Sequence, residues 1–366
     1  MSMLAFVVGT RPEIIKMAPV IRECERRGIA HLLIHTGQHY SYELDRVFFE
    51  ELALRDPNYV LGVGSGTNAE QVGKILVGVE TALTKEEPDV VLVEGDTNSV
   101  FAAAFAATTL HVEVGHVEAG LRSRDMFMRE EVNRILTDHV SDFLFAPTVD
   151  AKRNLLSEGI AANKISVTGN TIVDAVCQNL EIAKERVNVL KELDVDGRNY
   201  FLATAHRQEN VDSKLRLQGI LKGLKRLHDE YDAPIIFPMH PRTRKRVAEF
   251  NLALDGIAPT APMGFLAFLM LEANADLIIT DSGGVQEEAC ILQVPCITVR
   301  DNTERPETVA VHSNVVVGTE PDRIVDGARA MLNKSRHWRN PFGDGDAAQR
   351  IVLVLCNAFD ACGVNI

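Results

Sequence analysis

The 366-residue chain is poor in aromatic residues, which make up 6% of it and include one tryptophan. Basic and aromatic residues do not interleave, and the net charge is −13. The surface as a whole therefore has no attraction for nucleic acid or anionic lipid, and an anionic ligand would need a local basic or N–H-lined site. None of the six cysteines, Cys24, Cys177, Cys290, Cys296, Cys356 and Cys362, forms a CxxC pair. A chain of this length does not depend on disulfide staples, so reduced thiols and a cytoplasmic location are expected. The longest apolar runs, residues 101–107 and 265–271, fall short of the ~20 residues that span a bilayer. Residues 4–8 have no cationic flank before them and lead into Gly9-Thr10-Arg11-Pro12, as a buried strand does and a signal peptide does not. No GxGxxG follows a strand, since Gly62-Val63-Gly64-Ser65-Gly66 has the wrong spacing. Walker A and HExxH sequences are lacking, and His116 and Glu118 have no companion PCxxC. Neither NAD nor zinc has support, and no cofactor or metal is expected.

What is present is alternation. Short apolar runs at 4–8, 31–35, 89–93, 112–117, 143–146 and 165–167 are separated by amphipathic stretches such as 13–27 and 69–84. A second set at 200–204, 235–239, 276–280, 296–299 and 315–317 encloses 215–230 and precedes 322–332. Continuous apolar strands between helices predict parallel sheets with right-handed crossovers. The polar stretch 184–198 is the best boundary between two Rossmann-like domains facing across a cleft. Ligands of such sheets sit beyond the carboxyl ends of the strands, and polar residues gather at those ends.

Thr280-Asp281-Ser282-Gly283-Gly284 joins a strand to a helix, and two glycines at a helix N-terminus suit a diphosphate. A plain tight turn capped by Ser282 is the equal alternative. Glu288, one turn on, could accept from ribose hydroxyls. Arg11, beside Pro12 at a helix start, and Lys16, a turn later, could bind phosphate or simply be solvated. Asp96 and Glu118 follow strongly apolar strands, and Glu130-Glu131 opens a helix. Several carboxylates near one another suit proton transfer, because burial and repulsion spread their pKa values. The alternatives are a cap for Asp96, and dipole compensation with an i,i+4 pair to Arg134 for Glu130. His206, after the strand at 200–204, could face a leaving phosphate or solvent.

Taken in order, the motifs resemble one family. They are GTRPEIIK (9–16), GDT (95–97), HVEAGLR (116–122), EEVNR (130–134), TGNT (168–171), AHR (205–207), TDSGGVQEE (280–288), TERPE (303–307) and NPFGDG (340–345). The chain resembles the non-hydrolysing UDP-N-acetylglucosamine 2-epimerases from Gly9 to about Arg350. The resemblance implies an α/β, glycosyltransferase-B-like fold of two Rossmann-like domains. Residues 1–170 with about 347–366 would form one, through a last helix that crosses back, and residues 171–346 the other. It implies a homodimer that interconverts UDP-GlcNAc and UDP-ManNAc without a cofactor, for polysaccharide biosynthesis. Arg11, Lys16, Ser282, Gly283, Gly284, Glu288 and Arg305 match positions that hold UDP, and Phe268 one near the uracil. Asp96, Glu118, Glu130 and His206 match residues implicated in catalysis. Arg129 stands where many relatives have Pro. Gln38 and His240 match a pocket where a second UDP-GlcNAc activates many bacterial relatives, whereas Ser41 and Gly64-Ser65-Gly66-Thr67 do not.

Inversion at C2 by oxidation at C3 would need the NAD site that is lacking. The expected route is anti elimination of UDP to 2-acetamidoglucal and re-addition, which the resemblance also implies. Three rivals stay open: a hydrolysing epimerase that releases ManNAc and UDP, a metal-independent UDP-sugar glycosyltransferase, and a non-catalytic UDP-sugar sensor.

Overall fold

A computed structural model of the chain describes residues 3–38 and 42–359. His39, Ser41 and Cys362 lie outside the described residues. The chain divides into two compact units, Met1–Gln178 with Phe342–Ile366, and Asn179–Pro341.

The first unit holds seven strands: β1 (Leu4–Val8), β2 (His31–His35), β3 (Tyr59–Val60), β4 (Val90–Glu94), β5 (Glu113–Val117), β6 (Phe143–Ala146) and β7 (Ile165–Val167). They form one parallel sheet in the order β3-β2-β1-β4-β5-β6-β7. The second unit repeats the topology with β8 (Phe201–Thr204), β9 (Ile235–Pro238), β10 (Ile257–Thr260), β11 (Leu277–Thr280), β12 (Cys296–Thr298) and β13 (Asn314–Val316). Its order is β10-β9-β8-β11-β12-β13, again all parallel. Each sheet reverses its strand order once, between β1 and β4 and between β8 and β11. At such a switch point the flanking loops part and leave a crevice at the carboxyl edge.

The central strands are apolar because helices cover both faces. Every residue of β1 and β4 is buried. Val91, Val93, Val100, Ala103 and Ile75 pack in the first core, and Phe201, Phe237, Ile279, Leu224 and Ile324 in the second. Edge strands β3 and β10 escape the apolar-run criterion for the opposite reason. β3 has two residues, and β10 buries only Ile257 and carries Pro259 at a sheet edge, where a missing donor is tolerated. Helix Tyr42–Glu51 is a further element beyond those expected.

The boundary expected at 184–198 is displaced. The units divide at Gln178–Asn179, inside the helix Thr171–Arg186. The polar stretch belongs wholly to the second unit, because Val189 and Val195 are buried in its core with Leu190 and Leu193 packed against them. The start of Thr171–Arg186 is held in the first unit instead. Asp174 accepts from the amides of Ala347 (3.2 Å) and Ala348 (2.9 Å), capping the last helix, Ala347–Phe359. Burial pushes the Asp174 carboxyl up to about 6 despite those bonds. The cysteines also differ from expectation. Cys24, Cys290 and Cys296 are free, whereas Cys356 is disulfide-bonded.

Gly120 shows how tightly the carboxyl edge is built. Its φ is +83°, and a Cβ there would lie 2.4 Å from the Ala151 carbonyl oxygen. Gly159 has a similar φ of +87° with open space around it. Gly159→Ala should cost about 1–2 kcal/mol, the left-handed penalty alone. Gly120→Ala adds a backbone clash and should cost at least about 2 kcal/mol more. Equal denaturant midpoints for the two variants would refute this account.

Candidate active site

In the first unit the loop after β1 turns directly into the helix Arg11–Arg27, with Thr10 at the N-cap and Pro12 in the first turn. Gly9 is required by proximity, since a Cβ would sit 2.0 Å from Ser99 Oγ and 2.3 Å from Thr36 Oγ1. Arg11 lies over the Phe48 ring, its guanidinium carbon 4.5 Å from the centroid. Glu13 folds back and accepts from the Gly9 amide (2.6 Å) and Thr10 Oγ1 (2.9 Å). Burial dominates over these bonds, and the Glu13 carboxyl is raised to about 7.

Lys16, on the same helix, reaches two carboxyl groups at once. Its Nζ is 3.1 Å from Glu94 Oε1 at the end of β4, and it also bonds Glu118 just after β5. Glu94 is 2% exposed and Glu118 7%. One ammonium cannot offset two buried carboxylates. Burial, with Glu118 beside it, outweighs Lys16 and holds Glu94 well above the usual carboxylate range. The Glu94–Glu118 pair therefore holds a proton more tightly than free carboxylates do. Glu118 also has φ +70°, a left-handed conformation uncommon for a residue with a Cβ. Its neighbour Ala119 is tied to Phe145 O at 3.2 Å, so the strained turn is anchored from the next strand.

Asp96 follows Gly95, whose φ is +88°. It is 30% exposed and paired with Arg134. Asn133 donates to the Asp96 carbonyl at 3.0 Å. Both partners come from the helix Arg129–Val140, which also carries Glu130 and Glu131. Arg134 bonds Glu131 at 2.7 Å rather than Glu130. Glu131 also accepts from the amides of Ser123 and Arg124, both at 2.9 Å. Glu130 is half-buried at the helix start, apart from the Lys16 cluster's bonds.

In the second unit the loops after β8 and β11 meet through Asp281. This buried carboxylate accepts from the amides of His206 (3.0 Å) and Arg207 (3.0 Å) and from Asn210 Nδ2 (3.1 Å). It also pairs with His206 Nδ1 at 3.0 Å. Burial alone would raise Asp281, but His206 and these donors outweigh it and hold it below the usual range. Ser282 sits at the N-cap of the helix Gly283–Ile291 without making a side-chain cap bond. That departs from the tight-turn alternative, in which Ser282 caps the helix. Arg305 lies against Gly283, 3.8 Å from where a Cβ would be, and pairs with Glu287 at 2.7 Å.

A cavity of about 210 Å³ opens beside these loops. Phe268, Pro238, Pro262 and Met263 give it apolar walls, and His206, His240 and Ser282 give it a polar end. His240 Nδ1 accepts from the Arg242 amide at 3.1 Å, leaving the hydrogen on Nε2. Burial, then the positive neighbours His206 and Arg242, hold His240 below its ordinary value. Glu288 is half-buried, and burial together with the neighbouring Glu288 holds the fully buried Glu272 well above the usual range. Among the described residues no group of three His, Cys, Asp or Glu side chains is arranged to hold a metal ion, and no helix is long and apolar enough to cross a membrane.

Within the units, then, the structure joins Lys16 to Glu118, and it gathers His206, Phe268 and Ser282 around one cavity. It adds Glu94, Glu13, Asp281 and Glu272, which sequence reasoning did not select. Glu13 was visible inside the GTRPEIIK motif, and Glu94 as the residue just before the GDT motif. Glu272 carried no signal, because one acid in an apolar helix looks like its solvent-facing residue.

Two switch-point sheets, one with a carboxylate cluster and one with an open helix N-terminus, suit the binding of a nucleotide-linked group. The sequence matches the UDP-N-acetylglucosamine 2-epimerase family over residues 22–356. It is 56% identical to the UDP-N-acetylglucosamine 2-epimerase of Methanocaldococcus jannaschii over 360 residues, 96% of this chain and 98% of that one. It is 51% identical to the enzyme of the same name from Methanococcus maripaludis, covering 97% and 98%. The solved structure of the M. jannaschii enzyme in complex with UDP-GlcNAc and UDP is similar with a TM-score of 0.84 at 55% identity, covering 97% of this chain and 99% of that one. The chain belongs to the UDP-N-acetylglucosamine 2-epimerase family.

The raised Glu13 carboxyl has a stability consequence. Its folded pKa, about 7, lies above the reference 4.5. The folded state thus holds the proton more tightly, and this favours folding below the unfolded pKa and is lost as pH rises through 7. Relative to Glu13→Gln, the wild type should lose up to about 3 kcal/mol of unfolding free energy between about pH 4.5 and 8. Urea denaturation of both proteins across that range measures it, and a constant difference would contradict the raised pKa.

Proposed function

We propose that the protein is a non-hydrolysing isomerase that reversibly converts UDP-GlcNAc to UDP-ManNAc at C2, acts as a cytoplasmic homodimer, and supplies polysaccharide biosynthesis. The observation that carries the reading is the Lys16–Glu94–Glu118 cluster, a proton-holding carboxyl pair at the carboxyl edge of a buried sheet. Epimerisation needs groups that take a proton from one face of a carbon and return one to the other, and carboxyls with separated pKa values suit that exchange.

The steps balance without an oxidant. A carboxylate takes the C2 proton as the C1–O bond breaks in the anti sense, and the electron pair of C2–H becomes the C1–C2 double bond of 2-acetamidoglucal. UDP departs with the electrons of C1–O. A second acid then protonates C2 on the opposite face, and a phosphate oxygen of UDP re-forms the bond to C1. Asp96, Glu118 and Glu130 are the proton-transfer candidates. His206 would contact the departing phosphate, with its Nδ1 fixed by Asp281. The amides after Ser282, with Arg305 beside Gly283, would stabilise its charge. Arg11 and Lys16 would add cationic charge for the diphosphate. Phe268 and its apolar neighbours suit a pyrimidine ring, and Glu288 the ribose hydroxyls.

Incubation with UDP-GlcNAc in D₂O, followed by NMR, should show both epimers with deuterium at C2. UDP-ManNAc without deuterium would reject proton abstraction, and free ManNAc with UDP would assign the hydrolysing reaction instead. Asp96→Asn and Glu118→Gln should each lower turnover by at least about 10²-fold with UDP affinity nearly unchanged. Near-normal turnover in both would reject their role.

A further inference from the structure

The first unit contains a buried ionic group that the proposed chemistry does not use. His116, the penultimate residue of β5, is wholly buried, and so is Asp138 on the helix Arg129–Val140. His116 Nδ1 lies 2.6 Å from Asp138 Oδ1, and its Nε2 lies 2.8 Å from the Gly95 carbonyl oxygen. A carboxylate and a carbonyl both accept, so the geometry offers each ring nitrogen an acceptor for a hydrogen. Asp138 Oδ2 also takes Arg122 Nη2 at 2.7 Å, and Arg122 reaches Glu158 at 2.7 and 2.6 Å. Burial raises the Asp138 carboxyl, but His116 and Arg122 more than offset it and hold it below the usual range.

The group touches both loops that carry candidate acids. Through His116 it fixes the Gly95 carbonyl, one residue before Asp96. Through Asp138 Oδ2 it holds the Gly120 amide at 3.2 Å, two residues after Glu118. The helix that supplies Asp138 also supplies Asn133 and Arg134, which bind the carbonyl and carboxylate of Asp96. One carboxylate thereby sets the spacing between the turns after β4 and β5, each of which contains a positive φ.

We propose that Asp138 and His116 are a positioning pair that holds the loops of Asp96 and Glu118 at the separation proton transfer requires. This rests on the reading that those two carboxylates move protons. Asp138 cannot be replaced by its amide without loss. Asn offers one acceptor oxygen where His116, Arg122 and Gly120 present three donors to two oxygens, so the Gly120 amide or the His116 ring loses its partner.

The test uses the full-length protein, with C2 deuterium exchange from solvent as the rate, UDP titration for binding and urea denaturation for stability. In Asp138→Asn, kcat should fall about 10²-fold, as for a catalytic group displaced by an ångström, with KM and UDP affinity changed by less than about threefold. His116→Gln, which keeps a donor but loses the ring that bridges Asp138 and the Gly95 carbonyl, should fall by about tenfold or more. A purely structural role would lower the denaturation midpoint and leave kcat of the folded fraction intact, which overturns the proposal. Nitrogen-15 NMR of histidine-labelled wild type, with His116→Gln for assignment, decides the matter even if Asp138→Asn does not fold. Two protonated ring nitrogens on His116 near neutral pH support the pair, and one bare nitrogen overturns it. If Asp96→Asn and Glu118→Gln both turn over normally, the proposal falls with the reading beneath it. If those two are inactive while Asp138→Asn and His116→Gln are normal, the positioning pair alone falls.

Discussion

Lys16 placed between Glu94 and Glu118 is the constraint around which the first unit is arranged. Two carboxyls in a site with so little water repel each other, and a single ammonium removes only part of that cost. The remainder is relieved by keeping a proton on the pair, and that makes the site an acid as well as a base. The geometry follows from the fold. Glu94 ends β4, Glu118 follows the adjacent β5, and Lys16 is the sixth residue of the helix after β1. Only a sheet with β1 beside β4 and β4 beside β5 brings all three to one edge. The switch-point order is thus the reason three residues spread over 102 positions of sequence meet in one cluster.

The second unit has the same topology and the opposite electrostatic solution. Asp281 is as buried as Glu94, yet it remains ionised because two backbone amides, Asn210 and His206 all donate to it. A carboxylate with four donors needs no proton. It also holds His206 by both its amide and its ring, so the imidazole is fixed against the loop after β11. Two equal frameworks therefore serve unlike roles. In the first, scarcity of donors stores a proton, and in the second, abundance of donors fixes a charge and a ring beside an open helix N-terminus.

The strands and most helices were legible because central parallel strands are uniformly apolar. Leu4–Val8 and Phe143–Ala146 read directly as buried runs. Edge strands β3 and β10 were not, since an edge needs neither length nor an apolar run. The loops after the strands were legible as places where polar residues interrupt apolar pattern. Their internal pairing was not. Nothing in the sequence says that Arg134 chooses Glu131 and Asp96 over Glu130, or that Ser282 leaves its cap bond unmade. Those choices depend on distances between elements far apart in sequence. Buried acids mislead in the same way: Glu272 and Asp138 each look like the polar face of a helix, and only packing reveals that they point inward.

The helix Arg129–Val140 shows how such hidden pairing decides the role of a neighbour. Its N-cap, Met128, makes no side-chain bond, and no proline fixes its first turn. Its start is held instead by Glu131, which gathers the Ser123 and Arg124 amides and the Arg134 guanidinium. A carboxylate at the positive end of a helix dipole is favourable in itself, and here it also satisfies two loop amides, one of them in a residue at φ +61°. Consecutive helical residues point about 100° apart. Once Glu131 is committed to the loop, Glu130 must therefore face another direction, free of the Arg134 pair that its i,i+4 spacing suggests. Where a proline would fix the first turn, the anchorage lies instead at Glu131, two residues further along the helix than Arg129. The orientation of Glu130 is a consequence of its neighbour's bonds, and the same helix, through Asn133, Arg134 and Asp138, fixes Asp96 and Glu118. A single element thus sets the relation among all three candidate acids, although it contributes only one of them.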